Sequence, residues 1–270
     1  MLATEVQNAM IDTHAHLDQP EFDADRHMVV VRATRAGVSA MLCVGTTAQS
    51  SAAALRLATE YAEIFAAVGI QPNYVAEVAE DDWTRVAAMA DHRQVVALGE
   101  TGLDRYWDFA PLALQQDYLD RHLRLAQQRD LPVVLHCREA EADLLPMLRE
   151  AVARAPLKGV VHSFSGGAEF ATDCLELGLH VSFSGMITYS NKKFRPLRDV
   201  ARAIPDDRLL IETDSPYLVP QPLRGRQKRN EPSYLRHTAD ALAELREVSS
   251  AELIALTAAN ARRLFGIRSM

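Results

Sequence analysis

Residues 9–18 read AMIDTHAHLD, an apolar start that turns polar, as a short strand does when it runs out of a core into a site. In an open doubly wound sheet the turn after the first strand carries a glycine-rich phosphate fingerprint. Here that turn is DTHAHLD, with histidines and aspartates in place of glycines. Working outward, further short apolar runs follow: VSAMLCV (38–44), IFAAVGI (64–70), VVALGE (95–100), PVVLHC (132–137), GVVHSF (159–164), LHVSFSG (179–185) and RLLIETD (208–214). With the first they make eight expected strands. Segments of helical spacing lie between them, among them RHMVVVRATRAG (26–37), SAAALRLATEYA (51–62), LQQDYLDRHLRLAQQ (114–128) and DLLPMLREAVAR (143–154). Strands rich in Val, Ile and Leu that alternate with helices predict a parallel sheet covered on its outside. Eight such units predict closure into a single-domain α/β fold, a (β/α)₈ TIM barrel over residues 10–270, with residues 1–9 a loose tail. Ser249 and Glu252 have capping-box spacing, and Leu253, Leu256 and Leu264 can face inward on a closing helix that Gly266 ends.

The chain has 270 residues, 48% hydrophobic and 24% charged, enough for one large core. No apolar stretch approaches the roughly 20 residues of a membrane span, and the start lacks a basic region followed by an apolar one. A cytoplasmic protein is therefore expected, without a membrane partner. Cys43, Cys137 and Cys174 form no CxxC pair, which argues against a disulfide framework or zinc knuckle. A net charge of −7 argues against a broad duplex-DNA footprint, so any nucleic-acid contact should be local.

His14 and His16, two apart on extended backbone, share a face and can chelate one ion. Glu100 closes the fourth expected strand, His136 the fifth, His162 the sixth and Asp214 the eighth, where a barrel builds its active site. Each taken singly also fits a hydrogen-bonded rim histidine or an ion-paired carboxylate. Six donors converging from five strands fit that reading poorly, because packing would favour apolar residues there. Imidazoles mixed with carboxylates suit Zn²⁺, Mn²⁺ or Fe²⁺, and carboxylates alone lean to Mg²⁺. Six donors exceed one tetrahedral site, so two divalent metal ions sharing a carboxylate, with open positions for water and substrate, are expected at the C-terminal face. Hydrolysis is the matching reaction, with Glu100 and Asp214 as the catalytic carboxylates.

The motifs DTHAHLD (12–18), ALGETGLDRY (97–106), PVVLHCREAEAD (132–143), GVVHSFSGG (159–167), IETDSPYL (211–218), RNEP (229–232) and NARRLFG (260–266) stand in this order. The chain thereby resembles the TatD-type deoxyribonucleases of the amidohydrolase superfamily over about residues 10–266. The resemblance implies a metal-dependent nuclease that removes nucleotides from the 3′ ends of single-stranded DNA, with RNA a second substrate, in repair or turnover. It also implies that His14, His16 and Asp214 hold one ion (Mg, Mn or Zn), that His136 and His162 hold the other, and that Glu100 bridges. Cys137 and Arg105 depart from the residues common among relatives.

Arg138 shares a face with His136 and is expected to contact phosphate, or else to pair with Glu139, Glu141 or Asp143. Asp104 and Tyr106, in the loop expected after the fourth strand, position substrate or a ligand, or form rim hydrogen bonds. Arg224, Arg226, Lys228 and Arg229 cluster after the eighth strand, and Lys192, Lys193 and Arg195 after the seventh; both clusters are solvated loops or phosphate contacts. Trp107 and Phe109 either pack or stack unpaired bases. His92, His122, His180 and His237 are read as surface or structural histidines, and Cys137 as no nucleophile. Two rivals stay open: a metallohydrolase of the same superfamily acting on a small ester or amide, and a catalytically silent barrel that binds nucleic acid. The oligomeric state is open, a monomer being sufficient.

Overall fold

The computed structural model describes residues 9–267, so the tail expected over residues 1–9 lies, apart from Ala9, outside the described residues. Eight strands follow one another in chain order: β1 (Met10–Ala15), β2 (Val38–Val44), β3 (Ile64–Val68), β4 (Val95–Asp104), β5 (Val133–Arg138), β6 (Gly159–Val161), β7 (His180–Phe183) and β8 (Leu209–Ile211). Neighbours pair in parallel, with helices crossing between them, which gives the expected (β/α)₈ barrel in one domain.

Strands β1 and β8 are joined mainly by side chains. The Asp12 carboxylate accepts from the Thr213 N–H at 2.9 Å and from its hydroxyl at 2.6 Å, while the Thr13 hydroxyl donates to the Ile211 carbonyl at 3.0 Å. Burial pushes the Asp12 carboxyl up to about 7 against these bonds. Past the end of β8 the backbone takes over: the Asp214 N–H donates to His14 O at 2.9 Å and the His16 N–H to Ser215 O at 2.8 Å. The seam that shuts the barrel therefore sets Asp214 beside both histidines.

Ile11, Leu42, Val44, Val134, Val160 and Leu210 fill the barrel interior around the small Ala40, Ala67 and Ala97. A second apolar layer, including Met41, Cys43, Leu98, Leu135 and Val181, lies between strands and helices. The last helix, Ser250–Phe265, brings Leu264 and Phe265 into the interior cluster, and Ile267 follows. Its Asn260 amide donates to the carbonyls of Asp206 and Leu209, so the plug sits at the N-terminal end of β8. As expected, Ser249 and Glu252 form a full capping box and Gly266, at φ 65°, ends the helix.

Strand lengths differ from expectation in ways that matter to the site. Strand β4 runs past Glu100 to Asp104, because Gln115 clamps its far end: the Asp104 N–H donates to Gln115 Oε1 at 2.8 Å and the Gln115 amide donates to Asp104 O at 3.0 Å. Strands β6 and β8 stop at Val161 and Ile211, leaving His162 and Asp214 on the loops beyond.

Candidate metal centre

At the C-terminal mouth the six donors converge. His14 and His16 present Nε2 atoms 3.2 Å apart, and Asp214 Oδ1 lies 3.8 Å and 3.5 Å from them. Glu100 divides its carboxylate. Oε2 sits 3.6 Å from His14 Nε2 and 3.8 Å from His16 Nε2, while Oε1 sits 2.9 Å from His136 Nδ1 and 3.1 Å from His162 Nε2. The approach of β4 to β5 depends on Gly102, at φ 141°, since a side chain there would run into the His136 backbone.

Three of the four rings are held from outside. His136 Nε2 lies 2.9 Å from Asp104 Oδ2, His16 Nδ1 lies 2.8 Å from Val44 O, and His162 Nδ1 lies 3.4 Å from Glu212 Oε1. A proton on each outer nitrogen leaves the inner lone pair free for a cation, the arrangement typical of metal-binding histidines. His14 differs: its Nδ1 is buried without a partner, and its ring stacks on His162 at 3.9 Å and 11°.

Burial works against charge on all six groups, yet their mutual attraction prevails on most of them. The Glu100 carboxyl is held well below its usual range despite burial, by His162, His136 and His14; Asp214 is lowered in the same way by His16, His14 and His162. Burial is likewise overcome at His16, raised to about 9 by Asp214 and Glu100, at His136, raised by Asp104 and Glu100, and at His162, raised well above normal by Glu100 and Glu212. His14 alone is lowered, by burial and by His162. The buried carboxylates stay ionised and demand positive charge beside them. A divalent ion meets that demand with the imidazoles neutral, so the donor set fits a metal. His14, His16 and Asp214, and separately His14, Glu100 and His162, each bring three donor atoms within 4.8 Å of one another.

The supporting residues divide. Asp104 is buried at the end of β4 rather than in a loop; its Oδ2 faces His136, and its Oδ1 accepts from the N–H groups of Tyr106 at 2.9 Å and Trp107 at 3.0 Å. Arg138 is exposed at the same rim, its guanidinium 3.8 Å above the Tyr106 ring, and Arg105 rather than Arg138 takes Asp143, at 2.8 Å. Arg226 and Lys228 are exposed and line, with Arg32 and Arg229, a cleft of about 560 Å³. Arg229 is also tied to the fold. It binds the Asp25 carboxylate at 2.7 Å, donates to the Glu21 carbonyl and covers the Phe22 ring at 4.6 Å, which pins the loop to the start of the first helix. Lys193 lies over Phe194 at 5.0 Å, and Arg195 is 3.9 Å from Asp199. His122 and His180 are buried, His237 is half-buried and His92 is exposed. The Cys137 thiol packs against the outer apolar layer, and burial pushes its pKa up, away from thiolate chemistry.

Three residues of the site were not singled out from the sequence: Asp12, Glu212 and Asn230. Asp12 and Glu212 stand two residues before His14 and Asp214, and this spacing was their only signal. The Asn230 amide donates to Thr213 O at 2.9 Å and so braces the turn that carries Asp214.

Residues 11–266 match a family model described as TatD related DNase. An uncharacterized metal-dependent hydrolase, YabD of Bacillus subtilis, is 39% identical over 96% of this chain and 99% of its own length. A 3′-5′ ssDNA/RNA exonuclease TatD of Citrobacter rodentium is 36% identical over 96% of this chain and 98% of its own. Among solved structures, YJJV, a TatD homolog from Escherichia coli K12, aligns with a TM-score of 0.89 at 32% identity, covering 97% of this chain and all of that one. The mouth of the barrel and these likenesses agree, and the chain belongs to the TatD family of metal-dependent hydrolases.

Proposed function

We propose that the protein is a two-metal phosphodiesterase that removes nucleotides from the 3′ ends of single-stranded DNA, and of RNA as a second substrate. The observation that supports this most is the division of Glu100, one oxygen toward His14 and His16 and the other toward His136 and His162. In this reading His14, His16 and Asp214 hold one ion, His136 and His162 the other, and Glu100 bridges. Bound Mg²⁺, Mn²⁺ or Zn²⁺ would supply a water of lowered pKa and a clamp on the phosphoryl oxygens. Asp214, kept ionised by its histidine neighbours, accepts the proton that water gives up. Asp104 orients His136 and, with Tyr106, forms the rim on which Arg138 offers charge to a phosphate. Arg226, Lys228 and Arg229 raise the local concentration of an anionic strand, and Arg229 also fixes their loop.

The single-stranded substrate and the 3′ polarity follow the named activity of the Citrobacter rodentium relative, and a net charge of −7 accords with local rather than duplex-wide contact. None of the helices is long and apolar enough to cross a membrane among the described residues, and a cytoplasmic monomer suffices for a site built from one chain. Digestion of end-labelled single-stranded DNA and RNA with Mg²⁺, Mn²⁺ or Zn²⁺, beside a chelated control, tests the proposal. Stepwise shortening from the 3′ end that requires metal is the expected result. Intact oligonucleotides alongside hydrolysis of a small ester or amide would overturn it.

A further inference from the structure

Among the described residues, the exposed large apolar side chains are Met28, Tyr74, Tyr106, Trp107, Phe109, Tyr217 and Val248. All five aromatics lie on the segments that follow strands β3, β4 and β8, at the mouth that carries the candidate metal centre. Rings this large normally gain by burial, and Trp107 and Phe109 are instead 44% and 61% exposed. A flat partner from outside would cover them.

These aromatics form two walls. On one side Tyr217 meets His16 edge-on at 6.0 Å, its hydroxyl donates to Gln19 Oε1 at 2.9 Å, and its N–H donates to Asp214 O at 2.9 Å. Tyr74 lies on the 3-10 turn Pro72–Glu77 that follows β3. On the other side Trp107 and Phe109 lie nearly parallel, 5.4 Å apart at 15°, and Tyr106 meets Trp107 edge-on at 4.8 Å. One carboxylate ties this ladder to the metal centre, because Asp104 takes His136 on one oxygen and the N–H groups of Tyr106 and Trp107 on the other. Arg138 stands over Tyr106 and 5.7 Å from the Trp107 ring, adding positive charge to the ladder.

We propose that the mouth holds two base-stacking shelves, Tyr217 beside His16 and Trp107 with Phe109 beside His136, each taking the base of one of the two nucleotides that flank the scissile phosphate. The proposal rests on the phosphodiesterase reading and extends it to how the strand is held. Aromatic faces next to cationic charge bind unpaired bases without regard to sequence, whereas the bases of a duplex are already stacked on each other. A paired end is therefore excluded until its two terminal bases unstack, and a dinucleotide is the shortest substrate that fills both shelves.

The test is a cycle between protein and substrate. A Trp107→Ala/Phe109→Ala variant and a Tyr217→Ala variant are assayed, with melts to verify folding, on an oligonucleotide with all its bases and on two others lacking the terminal or the penultimate base. Each variant should raise KM about tenfold on the complete strand, the scale of one lost stack, with kcat within about threefold. That penalty should vanish on one abasic strand for the ladder variant and on the other for Tyr217→Ala. Trp107→Phe, which keeps a ring, should recover most of the binding. Unchanged KM in both variants, or an equal loss on complete and abasic strands, overturns the shelves while leaving nuclease activity intact. A wild-type protein that leaves every oligonucleotide uncut overturns both this proposal and the reading beneath it.

Discussion

At the N-terminal end of the barrel, the last helix closes the interior with Leu264 and Phe265, joined by Ile267 just beyond it; its first turn is capped by Ser249 and Glu252, and the Asn260 amide is satisfied by two carbonyls. At the C-terminal end the same interior opens onto buried histidines and carboxylates. There His14 Nδ1, Glu212 Oε2 and Ser215 Oγ lack partners, and Ser163 and Asp214 take left-handed backbone at φ 41° and 54°. Unpaired buried atoms and left-handed non-glycine residues each cost free energy. The N-terminal end has such features too, since both ring nitrogens of buried His180 at the start of β7 lack partners and Asp130 and Glu247 are left-handed; what sets the mouth apart is that its unpartnered atoms belong to a cluster of histidines and carboxylates that gathers charge for a ligand.

That contrast breaks most visibly at the plug. Phe265, 4% exposed, fills the barrel floor, so Phe265→Ala should lower stability by about 3–5 kcal/mol, the usual cost of emptying a buried aromatic site. Denaturant melts measure the loss. At a temperature where the variant is still folded, its turnover should match wild type, because the change lies at the opposite end from the metals.

A change at the mouth should do the reverse. Asp214→Asn keeps the shape and one oxygen but removes the charge that faces His14 and His16, so hydrolysis should fall about 10²-fold or more while the melt moves little. Single-turnover cleavage beside thermal melts separates the outcomes, and wild-type turnover by the metal-loaded variant would remove Asp214 from the chemistry.

Asp104 sharpens the comparison within the mouth itself. Asp104→Asn cannot accept from His136, Tyr106 and Trp107 together, so affinity for one of two ions should drop about 10- to 100-fold and the other should bind nearly as before. Metal titration followed by calorimetry reads this directly, and two equally weakened sites would contradict it.

The wall of the barrel offers an effect that is absent at neutral pH and grows only on acidification. Buried His122 accepts the Ile70 N–H at 3.1 Å on Nε2 and faces the Tyr118 carbonyl at 2.6 Å through Nδ1, so only the neutral ring fits, and burial lowers its pKa to about 4. The unfolded chain protonates this ring near 6.5 and so takes up the proton first on acidification. Its stabilising effect is complete above about 6.5 and declines as pH falls toward 4, by up to about 1.4 kcal/mol per pH unit. Against His122→Gln, the wild-type advantage measured by urea melts should shrink across that window; a constant difference would show that His122 does not titrate as described.

The sequence made the barrel legible because its eight apolar runs are short and evenly interrupted, and the six donors legible because each stands at or just beyond the end of such a run. Relations carried by distant side chains were not legible. The end of β4 is set by Gln115, a helix residue that returns to Asp104, and no local pattern announces that return. Glu212 reaches His162 over the end of β7, fifty positions away in sequence, so its part in orienting that ring depends on the order of the strands in the sheet. Arg229 looked like its basic neighbours, and only the fold reveals Asp25 beneath it. Charge in a loop can be read from sequence; the partner that occupies it cannot.

The division of Glu100 between two groups of candidate ligands carries the functional account, and crystals soaked in saturating Mn²⁺ and measured for anomalous scattering test it most directly. Two peaks are predicted, one bonded to a Glu100 oxygen with His14, His16 and Asp214, the other bonded to the second Glu100 oxygen with His136 and His162. A single peak, or two with Glu100 bonded to only one of them, would contradict the bridged pair.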